Sequence, residues 1–255
     1  MDESTVIQII KKKKELQDIA DSVVQSVLEE QISKHRISLS GLNEKQVKPI
    51  IKSVRAELRL FSGRFQKSLK DRKAMLKENR IEELLQTHSS TKERLSFYPE
   101  LKKKIASLKV KSILDLGCGL NPIALANKNI KYYASDIKES ELSLIKEYFK
   151  INKFSGESFI HDLRFKKNLP EADLCLLFKV LDVIDTKNHK NATELIKSIH
   201  CKYILVSFAT KKLSGKKMNF PRRFWFENLL NSLNLKFETF STENEFFYLI
   251  KKSAK

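Results

Sequence analysis

Apolar residues recur at helical spacing through the first part of the chain: Val6, Ile9 and Ile10, then Leu16 and Ile19, then Val23, Val24, Val27 and Leu28. Val47, Ile50, Ile51, Val54 and Leu58 repeat the pattern. Steps of three and four place such residues on one face of a helix. No strand pattern interrupts residues 1–95, and 38–43, with Gly41, reads as a loop. An all-helical N-terminal domain over 1–95 is therefore expected, followed by a second domain over 96–255. From residue 105 the pattern changes to short apolar runs. Strands are predicted at 112–117, 131–136, 157–162, 172–179, 202–209, 236–242 and 245–251. Helices are predicted at 122–128, 139–151, 188–200 and 223–233. Strand–helix alternation implies an α/β fold with a parallel, doubly wound sheet. Only 242–244 separate the last two strands, too few residues for a parallel crossover, so those two form an antiparallel hairpin.

A hydrophobic content of 41% over 255 residues supports a substantial core. No apolar run approaches the ~20 residues that span a membrane. The opening Met-Asp-Glu-Ser lacks the charged and apolar regions of a secretory signal, so a cytoplasmic protein is expected. Cys118, Cys175 and Cys201 show no metal-ligand spacing, and no metal site is predicted.

The net charge of +18 changes the picture, because it calls for a polyanionic partner. Residues 1–50 are balanced, with 8 basic and 8 acidic side chains. Residues 51–80 carry 10 basic against 3 acidic. Lys48, Lys52, Arg55 and Arg59 fall on one face of the predicted helix, away from its apolar stripe, and Arg64, Lys67 and Lys70 extend the run. Such a ridge suits a phosphate backbone, or is a solvated face. A second cluster follows the fifth strand: Lys211, Lys212, Lys216, Lys217, Arg222 and Arg223, around Leu213-Ser-Gly215. It reads as a phosphate-gripping loop.

The candidate chemistry lies at the strand ends. Ile113-Leu-Asp115-Leu-Gly117-Cys-Gly119 is an apolar strand running into a glycine turn and then a helix. The third position of a dinucleotide fingerprint is Pro122 rather than glycine, so no pyrophosphate needs to sit on this helix. S-adenosylmethionine (SAM), which has no phosphate, suits the turn. Asp136 ends the next strand, 17 residues past Gly119, where an acid accepts ribose hydroxyls. Otherwise it caps the following helix. Asp162 ends the third strand and is placed for the adenine amino group, or for a turn. Lys179, at the end of the fourth strand, faces the ligand side of an open sheet or simply emerges into solvent. Phe208 stacks on a base or fills the core.

Further motifs complete a recognisable set. They are His88-Ser-Ser-Thr-Lys-Glu-Arg94, Leu-Gly117-Cys-Gly119-Leu-Asn-Pro122, Tyr133-Ala-Ser-Asp136, Leu-Leu-Phe-Lys179, Val206-Ser-Phe-Ala-Thr-Lys211 and Asn244-Glu245. In this order they resemble the 16S ribosomal RNA (guanine-1405, N7) methyltransferases of the aminoglycoside-resistance type. The resemblance implies a class I SAM-dependent methyltransferase domain behind an RNA-binding helical extension. It implies a cofactor set of Arg94, Asp115, Gly117, Gly119, Asp136, Ile137, Asp162, Leu163 and Lys179, with Arg94 on the SAM carboxylate. Ser89 to Glu93 also reads as a helix capping box. Lys179 and Phe208 become candidates for positioning the guanine, and no acid–base residue is assigned. The implied partner is 16S rRNA in the assembled 30S subunit; a monomer is expected, since that partner supplies the large surface. Two alternatives stay open: a methyltransferase of another rRNA or tRNA nucleotide, and a non-catalytic RNA-binding protein with a vestigial cofactor fold.

Overall fold

A computed structural model describes residues 1–61, 69–165, 168–184, 189–211 and 215–252. The strands fall close to where the apolar runs predict them. They are β1 (Ser112–Leu116), β2 (Lys131–Asp136), β3 (Gly156–Ile160), β4 (Ala172–Phe178), β5 (Cys201–Ala209), β6 (Lys236–Ser241) and β7 (Glu245–Lys251). The sheet order is β3-β2-β1-β4-β5-β7-β6. The first five strands run parallel, and β7 pairs antiparallel with both β5 and β6. This is the class I methyltransferase architecture.

The helices are α1 (Glu3–Lys11), α2 (Asp21–His35), α3 (Glu44–Phe61), α4 (Leu69–Lys77), α5 (Ile81–Gln86), α6 (Ser89–Arg94) and α7 (Tyr98–Ser107) before the sheet. Within it follow α8 (Asn121–Leu125), α9 (Glu139–Asn152), α10 (Leu181–Ile184), α11 (Lys190–Ser198) and α12 (Phe224–Ser232). α8 stops short of the predicted 128 because Ala126 turns extended, with ψ 144°. The short α10 has no counterpart among the predicted helices.

Alternate residues of each central strand face opposite layers. Ile113, Leu174 and Leu176 pack with α4, α5 and α7–α9. Leu114, Leu116, Cys175 and Leu177 pack with α10–α12. A third core, from Val6 to Leu58, belongs to α1–α3 and touches Ile137 and Ile160 of the sheet domain. The stretch from α4 to α7 therefore shares its core with the sheet. The α1–α2 connection is stitched to the loop after β2: Ala20 N donates to Ile137 O at 2.9 Å, and Glu139 N donates to Asp18 O at 3.0 Å.

Candidate active site

The β1–β2 register pairs Leu116 with Ser135, which brings Gly117 beside Asp136. Both lie at the C-terminal ends of parallel strands, where open α/β sheets bind ligands. A cavity of about 470 Å³ opens there, within the usual range of a small-molecule site. Gly117, Gly119, Asp136, Ile137, Asp162 and Leu163 line it, with Lys179 and Phe178 from the end of β4.

The two glycines are needed for their conformation and for space. Gly117 has φ +67°, and a Cβ there would meet Val180 Cγ1 at 2.6 Å. Gly119 has φ +50°, and its Cβ would meet the His88 ring at 2.9 Å. Asp136 organises the turn: one carboxylate oxygen accepts from Gly119 N at 3.0 Å, the other from Ile137 N at 2.8 Å. Withdrawal from water raises its pKa, and the nearby Glu141 adds to the effect. Burial likewise holds the His88 imidazole neutral, pushing its pKa down to about 4. Among the described residues its buried Nδ1 has no hydrogen-bond partner.

Three other candidates sit differently from their expected places. Asp115 is fully buried behind the turn and accepts from the Tyr132 hydroxyl at 2.7 Å. Burial pushes its pKa up to about 7. Arg94 is buried behind Phe178, outside the cavity lining: it donates to Asn121 Oδ1 at 2.6 Å and to Glu245 at 2.8 Å, with its guanidinium 4.5 Å from the Phe178 ring. Phe208 is corrected from a base-stacking position to a core one. It has no exposed surface, and Trp225, Phe226 and Tyr248 ring it at 5.3–5.9 Å.

The capping-box reading is also corrected. His88, not Ser89, precedes the helix, and no side chain caps it. Thr91 Oγ1 instead donates to Leu85 O at 2.5 Å and His88 O at 3.1 Å, closing the α5–α6 turn. Ser89 and Ser90 are left lining the cavity.

A buried network beneath the cavity was not legible from spacing. Glu245 accepts from Arg94 and from Ser207 Oγ at 2.6 Å, and lies 3.6 Å from Lys179 Nζ. Burial disfavours its charge, but Arg94 and Lys179 outweigh that and keep its pKa low. Lys179 also pairs with Glu93 of the His88–Arg94 motif. The only sequence signal was Asn244-Glu245 itself, 151 residues from Arg94. Arg164 is a second surprise: it clasps Asp162 at 2.6 Å and Glu57 of α3 at 2.6 Å.

The basic candidates divide. Lys52 is exposed on α3. Arg55 is corrected to an internal role, donating to Ile10 O at 3.2 Å and to Ile9 O at the end of α1. Arg59 pairs with Glu15 at 2.7 Å and borders the cavity. Lys216 and Lys217 are exposed; Lys211 pairs with Glu243, and Arg222 with Glu227. Arg223 is mostly covered and bound to Asp182 at 2.8 Å, so it braces the loop instead of gripping phosphate. Arg64, Lys67 and Lys212 lie outside the described residues, and Lys70 is described only in its backbone, within α4.

The sequence model of the ribosomal RNA methyltransferase (FmrO) family matches residues 35–240. This chain belongs to that family. A family relative from Serratia marcescens, named 16S rRNA (guanine(1405)-N(7))-methyltransferase, is 27% identical over 250 residues, covering 94% of this chain and 95% of its own. A protein of the same name from Micromonospora echinospora is 26% identical over 181 residues, covering 66% and 64%. The solved 16S rRNA methyltransferase RmtF, in complex with S-adenosyl-L-homocysteine, superposes with a TM-score of 0.82 at 25% identity over 99% of this chain and 100% of that one. RmtB shares the fold, with a TM-score of 0.80 at 24% identity over 99% of both chains.

Proposed function

We propose that this ribosomal RNA methyltransferase transfers a methyl group from SAM to N7 of the G1405-type guanine at the decoding site of 16S rRNA. The substrate is the assembled 30S subunit, the enzyme acts as a monomer in the cytoplasm, and the product confers aminoglycoside resistance. The observation that carries the reading is the cavity at the ends of β1, β2 and β4, walled by a Gly-x-Gly turn and an acid bonded back to it. These residues fit SAM. The glycines leave a cradle that a Cβ would fill, and at its edge the buried His88 Nδ1 has no partner among the described residues.

In this reading Asp136 takes the ribose hydroxyls and Asp162 the adenine amino group, with Ile137 and Leu163 as apolar walls. Ser89, Ser90 and Lys179 border the remaining part of the cavity. SAM supplies an electrophilic sulfonium methyl when bound. Guanine N7 carries an in-plane lone pair and no proton, so the chain has no proton to remove. Its task is alignment and exclusion of water. A neutral His88 and a Lys179 held between Glu93 and Glu245 fit that task.

The test is methyl transfer from labelled SAM to 30S subunits, naked 16S rRNA, 50S subunits and tRNA, with scission at N7-methylguanine to map the product. Label on 30S alone, mapped to the decoding-site guanine, is expected. Label on another RNA would keep the enzyme and discard the target.

A further inference from the structure

The segment after β5 carries an aromatic surface that the cavity does not use. Phe220 is 75% exposed and Phe224 is 60% exposed, with Pro221, Arg222 and Arg223 between them. Single exposed apolar side chains are ordinary. This pair is unusual because its backbone is clamped from beneath. Arg223 Nη1 donates to Pro221 O at 2.9 Å and to Phe220 O at 3.4 Å. Arg223 Nη2 reaches Asp182 at 2.8 Å and Ala209 O at 3.3 Å, and its main-chain N–H donates to the Tyr248 hydroxyl at 2.9 Å. Pro221 removes a further backbone freedom. Arg222 is held by both carboxylate oxygens of Glu227, and its guanidinium lies 6.0 Å from the Phe224 ring. The rings therefore project from a rigid base, which lowers the entropy lost when something packs on them.

Their place in the fold is also informative. Asp182 lies in α10, whose Val183 and Ile184 line the cavity, and Ala209 ends β5. The aromatic pair thus shares the C-terminal edge of the sheet with the cavity. Residues 211–223 contain six basic and no acidic side chains, and Lys216 and Lys217 are exposed. A partner that is both polyanionic and rich in flat apolar faces matches this surface. Unstacked nucleobases on a phosphate backbone have that combination.

We infer that Phe220 and Phe224 form a stacking platform for unpaired nucleobases of the RNA substrate, beside the methyl-transfer cavity, with Lys216 and Lys217 on the adjoining phosphates. This rests on the proposed rRNA methyltransferase function. The platform reads exposed base planes, not base edges, so it favours a locally opened RNA over a particular sequence.

The test is equilibrium binding of 30S subunits by the full chain across a salt series. The variants are Phe220→Ala, Phe224→Ala, the double alanine, the double tyrosine, and Lys216→Ala with Lys217→Ala. SAM affinity and thermal midpoint are measured on each. Each single alanine is expected to weaken 30S binding by about fivefold or more, as loss of a base–aromatic stack does, with the slope of log K against log salt unchanged. The double tyrosine should bind as wild type does. The lysine pair should flatten the slope by about 0.7–0.9 per residue. SAM affinity and midpoint should hold throughout. Double-alanine binding within twofold of wild type would overturn the platform, as would a loss that tyrosine fails to restore or that tracks a lowered midpoint. If wild type methylates a different RNA, the target reading fails, and the same panel on that RNA decides the platform. If wild type binds no RNA, both fall.

Discussion

Single residues at the glycine turn carry opposing demands of fold and ligand. Burial raises the pKa of Asp115 in the folded chain to about 7, from an ordinary carboxyl value of 3.8. The unfolded chain releases that proton first as pH rises, so this residue lowers stability progressively between those values. Asp115→Asn is expected to remove that decline, seen as a higher denaturation midpoint at pH 7 than wild type and little difference near pH 4. An unchanged midpoint at pH 7 would show that the carboxyl is not strained by burial. Gly119 makes the complementary case. Gly119→Ala sets a side chain at φ +50° against the His88 ring. It should weaken SAM binding by about tenfold or more, given the cost of a left-handed non-glycine residue, and calorimetric titration would measure it.

At the scale of elements, α3 shows why a basic face is not one uniform surface. Lys48 and Lys52 are exposed, whereas Arg55 reaches the carbonyls that end α1 and Arg59 pairs with Glu15. Arg72, counted in the same basic excess, is fully buried against Glu141 at 2.9 Å. Lys48→Ala with Lys52→Ala should weaken 30S binding and lower its salt dependence while the unfolding midpoint stays put. Arg55→Ala should cost about 1–3 kcal/mol of stability, the usual penalty for stranding a polar partner; denaturant titration separates the two outcomes. The helical spacing of these residues was legible in the sequence. Their division into external and internal roles was not, because Glu15 and the α1 carbonyls lie more than 40 residues away.

At the scale of the molecule, the helical region and the cofactor cavity are physically joined. Arg164 holds Asp162, which lines the cavity, and Glu57, which lies on α3. The main-chain bonds from Ala20 and Asp18 to the loop after Asp136 add a second tie. Ligand occupancy at Asp136 and Asp162 should therefore steady α1–α3. Hydrogen exchange is expected to show SAM protecting amides of α3 in wild type, with that protection reduced in Arg164→Ala. Equal protection in both proteins would mean that Arg164 is a local brace and transmits nothing.

Local periodicity determined the elements, since alternation of period two and of 3.6 is a property of the backbone and needs no partner. The seven strands of the described residues and the antiparallel hairpin followed from the pattern of apolar runs, while the turn at Gly117 and Gly119 and the acid at Asp136 followed from the residue types at the strand ends. The tertiary structure alone decided which charges were consumed and which ring was covered. Arg94 met Glu245, Arg223 met Asp182, and Phe208 turned into the layer with Trp225 and Tyr248 while Phe220 and Phe224 stayed outside. Each of those outcomes depends on groups brought together by strand order across tens of residues. A charge or a ring has the same local signature in the chain whether folding buries it against a partner or leaves it in water.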